Sequence, residues 1–141
     1  MIILDEHLKG IGLETAVSRW YRGRVIFVDH LRRITVIKDE AIPSLLRGVK
    51  HPTFVTMNYT DFWRRVQADT SYCIVCARFG IELAGDLSVW LRGLFALPPF
   101  KSKDRRMGSV VLFDRRRLQY YRAEEREVHL LSWPPGVKPR Q

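Results

Sequence analysis

Short apolar runs alternate along the chain with stretches in which apolar residues recur at helical spacing. The first run, "MIILD", has the composition of a buried strand and ends at Asp5. The next stretch, "GLETAVSRWYRG", places apolar residues three and four positions apart and stops at Gly23. The pattern predicts a strand that is followed by a helix.

The same alternation continues over residues 1–100. Further strands are predicted for "RVIFVDHL", "TFVTMN" and "SYCIVCARF", and the middle one of these ends at Asn58. Further helices are predicted for "KDEAIPSLLRGV", with Asp39 as a candidate N-cap, and for "TDFWRRVQA" and "ELAGDLSVWLRGLFAL". Strands that alternate with helices in this way form a mainly parallel α/β sheet with helices on its faces.

The pattern changes after the basic segment "KSKDRRMG". Two β-type segments follow, "SVVLFDRRRLQYYR" and "REVHLLSW". One polar turn lies within the first segment and another separates the two segments. These segments predict an antiparallel addition at the edge of the sheet. We therefore expect one domain over residues 1–141, with an α/β core at 1–100 and a β-hairpin element at 108–133.

Composition narrows the class of protein. A chain of 141 residues, of which 46% are hydrophobic, is large enough for one compact domain. Its apolar runs fall short of the roughly 20 residues of a membrane span, and the start "MIILDEHLKG" lacks the basic flank of a signal peptide. We expect a cytoplasmic protein with no membrane partner. Cys73 and Cys76 are three positions apart on a predicted strand, which favours buried core thiols over a shared metal.

The net charge of +9 suggests a polyanionic partner. The charge is unevenly spread, because residues 1–100 carry 13 basic and 10 acidic side chains whereas residues 101–141 carry 11 and 5. Basic residues near a predicted site or near aromatic rings are candidates for nucleic-acid binding, and they are Arg64, Arg65, Arg115, Arg116 and Arg117. The alternative for the last three is that they protect an exposed edge strand from aggregation.

Polar residues stand where the predicted parallel strands end. Asp5 follows the first strand, Asp39 opens the helix after the second, and Asn58 and Asp61 follow the third. The carboxyl ends of parallel strands meet at one edge of a sheet, and carboxylate oxygens there suit Mg²⁺ or Mn²⁺. Each of these residues also has a structural interpretation as a helix cap or a turn residue. His7, beside Asp5, is interpreted as a surface residue.

Four segments resemble, in order and spacing, PIN-like domains, especially the short subfamily related to the ribonuclease toxins of bacterial toxin–antitoxin pairs. They are "IILDEHL", "KDEAIPSLL", "FVTMNYTDFW" and "SYCIVCARF", and the resemblance covers residues 1–80. It implies a three-layer α/β/α fold and an endoribonuclease that depends on Mg²⁺ or Mn²⁺. Asp5, Asp39 and Asp61 would be the catalytic and metal-binding residues, with Asn58 as a further ligand. RNA and an antitoxin protein are the partners that the resemblance implies.

One position departs from the family pattern. Where the family has a Thr, one residue and an Asp, this chain has Thr56, Met57 and Asn58, and the Asp61-Phe62 pair is displaced by one residue. An amide offers a metal one carbonyl oxygen but no negative charge. The alternative function is therefore a degenerate PIN-like domain that binds RNA or a protein partner without cleavage.

A third interpretation is structural. The predicted helix "ELAGDLSVWLRGLFAL" carries Trp90, Leu94 and Phe95 at helical spacing, and the β element that follows would offer a strand edge. Together these features could build an oligomer such as a homodimer. A monomer at micromolar concentration would count against this interpretation.

Overall fold

The computed structural model of the chain describes residues 1–31, 39–79 and 86–134. The described strands form one seven-stranded sheet in the spatial order β2-β1-β3-β4-β5-β6-β7. These strands are β1 (Ile2–Leu4), β2 (Val25–Phe27), β3 (Thr53–Thr56), β4 (Cys73–Ala77), β5 (Ser109–Phe113), β6 (Arg117–Arg122) and β7 (His129–Ser132). The described α-helices are α1 (Leu13–Ser18), α2 (Ile42–Arg47), α3 (Tyr59–Phe62), α4 (Leu87–Ala96) and α5 (Lys103–Arg106).

The sheet is mainly parallel, as predicted. Strands β1 to β5 run parallel in the order 2-1-3-4-5, and β6 and β7 continue the sheet in antiparallel fashion. The antiparallel addition therefore begins one strand later than the sequence predicted, because the helical connection after β4 returns the chain to the other end of the sheet before β5 starts. The α/β class is confirmed, whereas a PIN-like fold stays a prediction.

Helices pack on both faces of the sheet, because alternate strand residues point to opposite sides. On one face, α1 and α4 cover Leu4 and Val75. On the other face, α2 and α3 cover Ile3 and Phe54. None of the described helices is long and apolar enough to cross a membrane.

The two cysteines lie in different halves of this core. Cys73 packs with the α1 and α4 side and Cys76 with the α2 and α3 side, as their spacing predicted. Both thiols are free and buried, and burial raises the pKa of Cys73 to about 12. Neither thiol has the low pKa of a reactive cysteine.

The apolar side of α4 is an internal surface. Trp90, Leu94 and Phe95 are all buried, and Trp90 packs edge-on against Trp133 with ring centroids 4.9 Å apart. The homodimer contact that the sequence suggested through these three residues is therefore wrong, because the chain covers them itself. The start of the predicted helix, residues 82–85, lies outside the described residues.

The helix after β3 is shorter than its sequence pattern predicted. The strand ends at Thr56 rather than at Asn58, and α3 is a single turn that ends at Phe62. Trp63 then becomes extended and Arg64 takes a φ of 59°. The cause is tertiary, since the Trp63 ring packs 5.1 Å from that of Tyr121 on β6.

Arg106 is a buried cation in what the sequence presented as a basic linker. Its side chain is 4% exposed. Its Nε donates to Thr53 Oγ1 at 3.2 Å, its Nη1 donates to the Phe100 carbonyl at 2.9 Å, and its guanidinium lies 4.3 Å from the ring centroid of Phe95. Arg106 thus connects α5 to the start of β3 and to α4.

Replacement of this arginine tests its structural role. Arg106→Ala is expected to lower the free energy of unfolding by about 2–4 kcal/mol, because a cavity forms and two buried acceptors lose their donor. Arg105→Ala is the matched control, since Arg105 is exposed, and its effect should stay below about 1 kcal/mol. Urea denaturation of the three proteins measures the difference, and equal effects of the two variants would contradict the role given to Arg106.

Candidate functional site

Polar side chains converge at the carboxyl ends of β1 and β3. Asp5 follows β1 directly, and its backbone N–H donates to the Val55 carbonyl at 3.0 Å. Thr56 ends β3, and Asn58 precedes α3. In a sheet of the order 2-1-3-4-5, chain connections leave β1 and β3 toward opposite faces, which opens a crevice at these strand ends. The site therefore lies where this fold class places binding sites.

Asp5 is a buried and firmly held carboxylate. Its Oδ1 accepts from the Glu6 backbone N–H at 2.8 Å, so it does cap a short 3-10 turn, as the structural interpretation proposed. Its Oδ2 accepts from Thr56 Oγ1 at 2.7 Å and lies 3.2 Å from His7 Nδ1. Burial acts to raise the pKa of Asp5, but the hydrogen bonds from His7 and Thr56 outweigh it and the pKa is lowered. Asp5 is thus ionised at neutral pH.

Asn58 bridges two further carboxylates. Its Nδ2 donates to Asp39 Oδ2 at 2.9 Å and to Asp61 Oδ2 at 2.8 Å. Its Oδ1 accepts from Thr60 Oγ1 at 3.2 Å, and its backbone N–H donates to Thr56 Oγ1 at 2.9 Å. The two hydrogens of the amide therefore stand between two negative charges, in the place where a cation would balance them.

Asp39 is in a different electrostatic state from Asp5. Its pKa is raised, first by partial burial, then by the charge of Asp5 and by the neighbouring Asp61 and Glu40. The predicted N-cap role of Asp39 is wrong, because Asp39 starts a 3-10 turn and the N-cap of α2 is Ala41. Its carboxylate instead accepts a hydrogen bond from Asn58. Because neighbouring acids contribute to its raised pKa, the site crowds like charges together.

The donor set suits a hard divalent cation. Asp5, Asp39, Asp61 and Asn58 offer oxygen ligands, which Mg²⁺ and Mn²⁺ prefer. Among the described residues, no three His, Cys, Asp or Glu side chains are already arranged around a common metal position. The residues fit a cation provided that Asn58 turns its Oδ1 toward Asp39 and Asp61, because the amide nitrogen is a donor and cannot bind a metal.

The two arginines that follow α3 lie in different surroundings. Arg65 lines an open depression of about 520 Å³ together with Asp39, Glu40 and Asp61. Arg64 lines a different cavity, on the side of β6. The structure thus brings Arg65 to the acidic cluster, as the sequence suggested, and places Arg64 away from it.

The arginine triplet is divided between three environments. Arg115 lies within 4.0 Å of Asp86 at the start of α4. Arg116 and Arg117 donate their backbone N–H groups to Asp114 Oδ1 at 2.8 and 3.0 Å, which shapes the turn between β5 and β6. Arg117 belongs to β6, which β7 covers, so protection of an exposed edge is the wrong interpretation for it. The turn itself lies at the same edge of the sheet as Asp5.

Two tyrosines that follow this triplet on β6, Tyr120 and Tyr121, already contact other residues of the protein. Tyr120 stacks on His129 with ring centroids 4.8 Å apart. Tyr121 packs against Trp63 and donates its hydroxyl to the Val66 carbonyl at 2.6 Å. Base stacking on these two tyrosines is therefore not available without rearrangement of the hairpin.

Two further residues belong to the site although no sequence pattern marked them as members. Thr56 links Asp5 to Asn58 through its hydroxyl, and a Thr two positions before Asn58 was the only signal. His7 Nε2 accepts from the Met57 N–H at 3.2 Å while Nδ1 faces Asp5. The hydrogen bond to Asp5 raises the pKa of His7 against the opposing effect of burial. A histidine two residues after an aspartate has no spacing rule that would reveal this pairing.

Removal of the Thr56 hydroxyl should raise the pKa of Asp5. A lowered carboxyl pKa stabilises the fold above the unfolded value of about 3.9, and this stabilisation is lost as the pH falls through the folded value. Thr56→Val should therefore lower the free energy of unfolding by about 1–3 kcal/mol at pH 7 and by less at pH 3. NMR titration of the Asp5 carboxyl and urea denaturation measure both effects. Thr56→Ser keeps the hydroxyl and should leave the pKa of Asp5 unchanged, although loss of its buried methyl costs about 1 kcal/mol. An equal rise of the Asp5 pKa in both variants would contradict this prediction.

Removal of one charge from the cluster should stabilise the fold. Because the pKa of Asp39 is raised, the folded state holds its proton more tightly than the unfolded state, and stability falls as the pH rises from the unfolded to the folded value. Asp61→Asn keeps an acceptor for Asn58, lowers the pKa of Asp39 and should make the protein more stable than wild type at pH 7. Urea denaturation at pH 4 and pH 7 tests this, and a less stable variant at pH 7 would show that repulsion is not the dominant effect.

No protein-family model, no curated protein and no solved structure matches the chain. The PIN-like resemblance therefore stays a prediction that rests on the four sequence segments that carry it. The carboxylate cluster at the ends of β1 and β3 is the observation from which a function can be proposed.

Proposed function

We propose that the protein is a PIN-like endoribonuclease that depends on Mg²⁺ or Mn²⁺. The observation that carries the proposal is the convergence of Asp39 and Asp61 on Asn58, beside the buried Asp5. Such crowding of carboxylates costs stability and is typical of sites that are completed by a cation. Its location at the carboxyl ends of β1 and β3 is where this class of sheet binds ligands.

Each residue has a distinct role in this proposal. Asp39 and Asp61 hold the metal, Asn58 adds its carbonyl oxygen, and Asp5, oriented by Thr56 and His7, completes the negative field. A bound divalent cation would activate water and neutralise charge on a phosphodiester. Arg65, on the wall of the same depression, would meet a substrate phosphate.

The second candidate is a domain of the same type that binds RNA or a protein partner without cleavage. The amide of Asn58 favours it, because its two N–H bonds already satisfy Asp39 and Asp61 without a cation. The role of a toxin with an antitoxin partner belongs to the first proposal and is supported by the sequence resemblance. A cytoplasmic location also belongs to it, and is supported by the short apolar runs and by the start "MIILDEHLKG". The two candidates differ in whether a metal displaces the amide hydrogens.

Mn²⁺ titration by calorimetry separates the two candidates. The nuclease proposal expects saturable binding by wild type, at least tenfold weaker binding by Asp39→Asn, and about tenfold tighter binding by Asn58→Asp, since one full charge near a cation is worth on the order of 1 kcal/mol or more. Glu127→Gln, the same loss of charge on an exposed residue between β6 and β7, should leave the affinity unchanged.

Cleavage of structured RNA then tests the activity itself. Metal-dependent cutting by wild type that Asp39→Asn abolishes supports the nuclease. Absence of Mn²⁺ binding at millimolar concentration by wild type, with binding regained in Asn58→Asp, would overturn the nuclease proposal in favour of the non-cutting domain.

A further inference from the structure

Tyr59 and Arg78 form a stacked pair beside the acidic cluster. Tyr59 follows Asn58 and begins α3, and Arg78 follows the last residue of β4. The guanidinium carbon of Arg78 lies 5.2 Å from the ring centroid of Tyr59. Arg78 is exposed and Tyr59 is half-buried, so the pair faces solvent at the same edge of the sheet as Asp5.

The backbone holds both residues in place. The Arg78 N–H donates to the Phe113 carbonyl at 2.9 Å, which extends the pairing of β4 with β5 beyond the end of β4. The Tyr59 N–H donates to the Met57 carbonyl at 3.0 Å, and the Tyr59 carbonyl accepts from the Trp63 N–H at 2.9 Å. Stacking on a fixed ring leaves the N–H groups of the guanidinium available while it restricts the freedom of the side chain, which lowers the entropic cost of binding an anion.

Carboxylates are most numerous on the side of β1 and β3 of this edge. Arg78 stands at the end of β4, and the turn after β5 carries Arg115 and Arg116 together with Asp114. Neighbouring strands are about 4.8 Å apart, so the backbone ends of β4 and β5 lie about 5 and 10 Å from the end of β3 along the sheet. A polyanion that approached the carboxylates alone would be repelled, and the cations on β4 and β5 offset that repulsion.

We propose that Arg78 and Tyr59 form a binding subsite for single-stranded RNA next to the acidic cluster. This inference rests on the proposed nuclease function and names the strand on which the site acts. Arg78 binds a phosphate through its planar N–H groups, the ring of Tyr59 supports the guanidinium from below, and the exposed face of the guanidinium receives an adjoining base. A base can stack on this guanidinium only when it is unpaired, which is why the substrate class is a single strand.

Binding of a fluorescein-labelled oligouridylate in EDTA tests the subsite apart from catalysis. Arg78→Ala should weaken binding about tenfold and reduce the slope of log Kd against log salt, between about 50 and 200 mM, by about 0.7, the value for one phosphate contact on a single strand. Tyr59→Leu keeps an apolar side chain but removes the ring, and should weaken binding by about fivefold or more with less change of slope.

Three controls make the result specific. Arg92→Ala removes the same charge from an exposed position on α4 and should bind like wild type. Arg78→Lys keeps the charge but loses the planar stack, so it should keep most of the salt slope and lose affinity. Tyr59→Phe keeps the ring and should bind like wild type, and urea denaturation of every variant excludes an effect on folding.

The outcomes separate this inference from the proposed function. An Arg78→Ala variant that binds like wild type, or an equal loss in Arg92→Ala, overturns the subsite even if the protein cleaves RNA with Mn²⁺. A specific loss in Arg78→Ala and Tyr59→Leu, in a protein that never cleaves, supports the subsite and overturns only the nuclease. Wild type that neither binds the oligouridylate nor cleaves RNA overturns both.

Discussion

The parallel pairing of β1 with β3 is the constraint on which the rest of the structure depends. Ile3 lies beside Phe54 and Leu4 beside Val55, and all four side chains are fully buried. Because both faces of these strands are covered, a slip of one residue would turn their apolar side chains to the wrong layers. The same register brings Asp5 next to Thr56, so core packing alone brings together chain segments about fifty residues apart and creates the start of the site.

The polar cluster at these strand ends contains two aspartates whose pKa values are shifted in opposite directions, and Asn58 is hydrogen-bonded between their two environments. Asp5 is anchored by donors and has a lowered pKa, whereas Asp39 is partly buried and crowded by acids, and both effects raise its pKa. An aspartate in place of Asn58 would add a third charge between Asp39 and Asp61, which a bound cation or a bound proton would have to neutralise. The amide of Asn58 stabilises the two carboxylates in the absence of a metal, because it donates to both. It would bind a metal more weakly than a carboxylate, because it carries no negative charge. Under the proposed function, this single residue is the one on which the choice between the nuclease and the non-cutting domain depends.

Sequence periodicity predicted the parts of the fold that depend on local pattern. The strand exits at Asp5 and near Asn58 are of this kind, since strand burial and alternation are visible in the residues themselves. The early end of α3 was not predictable, because it depends on the packing of Trp63 against Tyr121 across the sheet. Likewise, nothing local marks Arg106 as buried or pairs Asp39 with Asn58 rather than with α2. Contacts between distant segments decided each of these features.

The distinction between what the local sequence shows and what distant contacts decide also applies to the charged residues. The net charge of +9 suggests a polyanion partner, but several arginines serve the fold. Arg106 is buried, and Arg122 donates to the Arg105 and Pro99 carbonyls at 3.1 and 3.0 Å. The positive charge that is free to meet a polyanion is therefore smaller than the net charge of the chain, and the positions of the free arginines matter more than their number. Arg78 stands at the carboxyl edge beside the carboxylates, which is where the proposed nuclease would require the phosphodiester to lie.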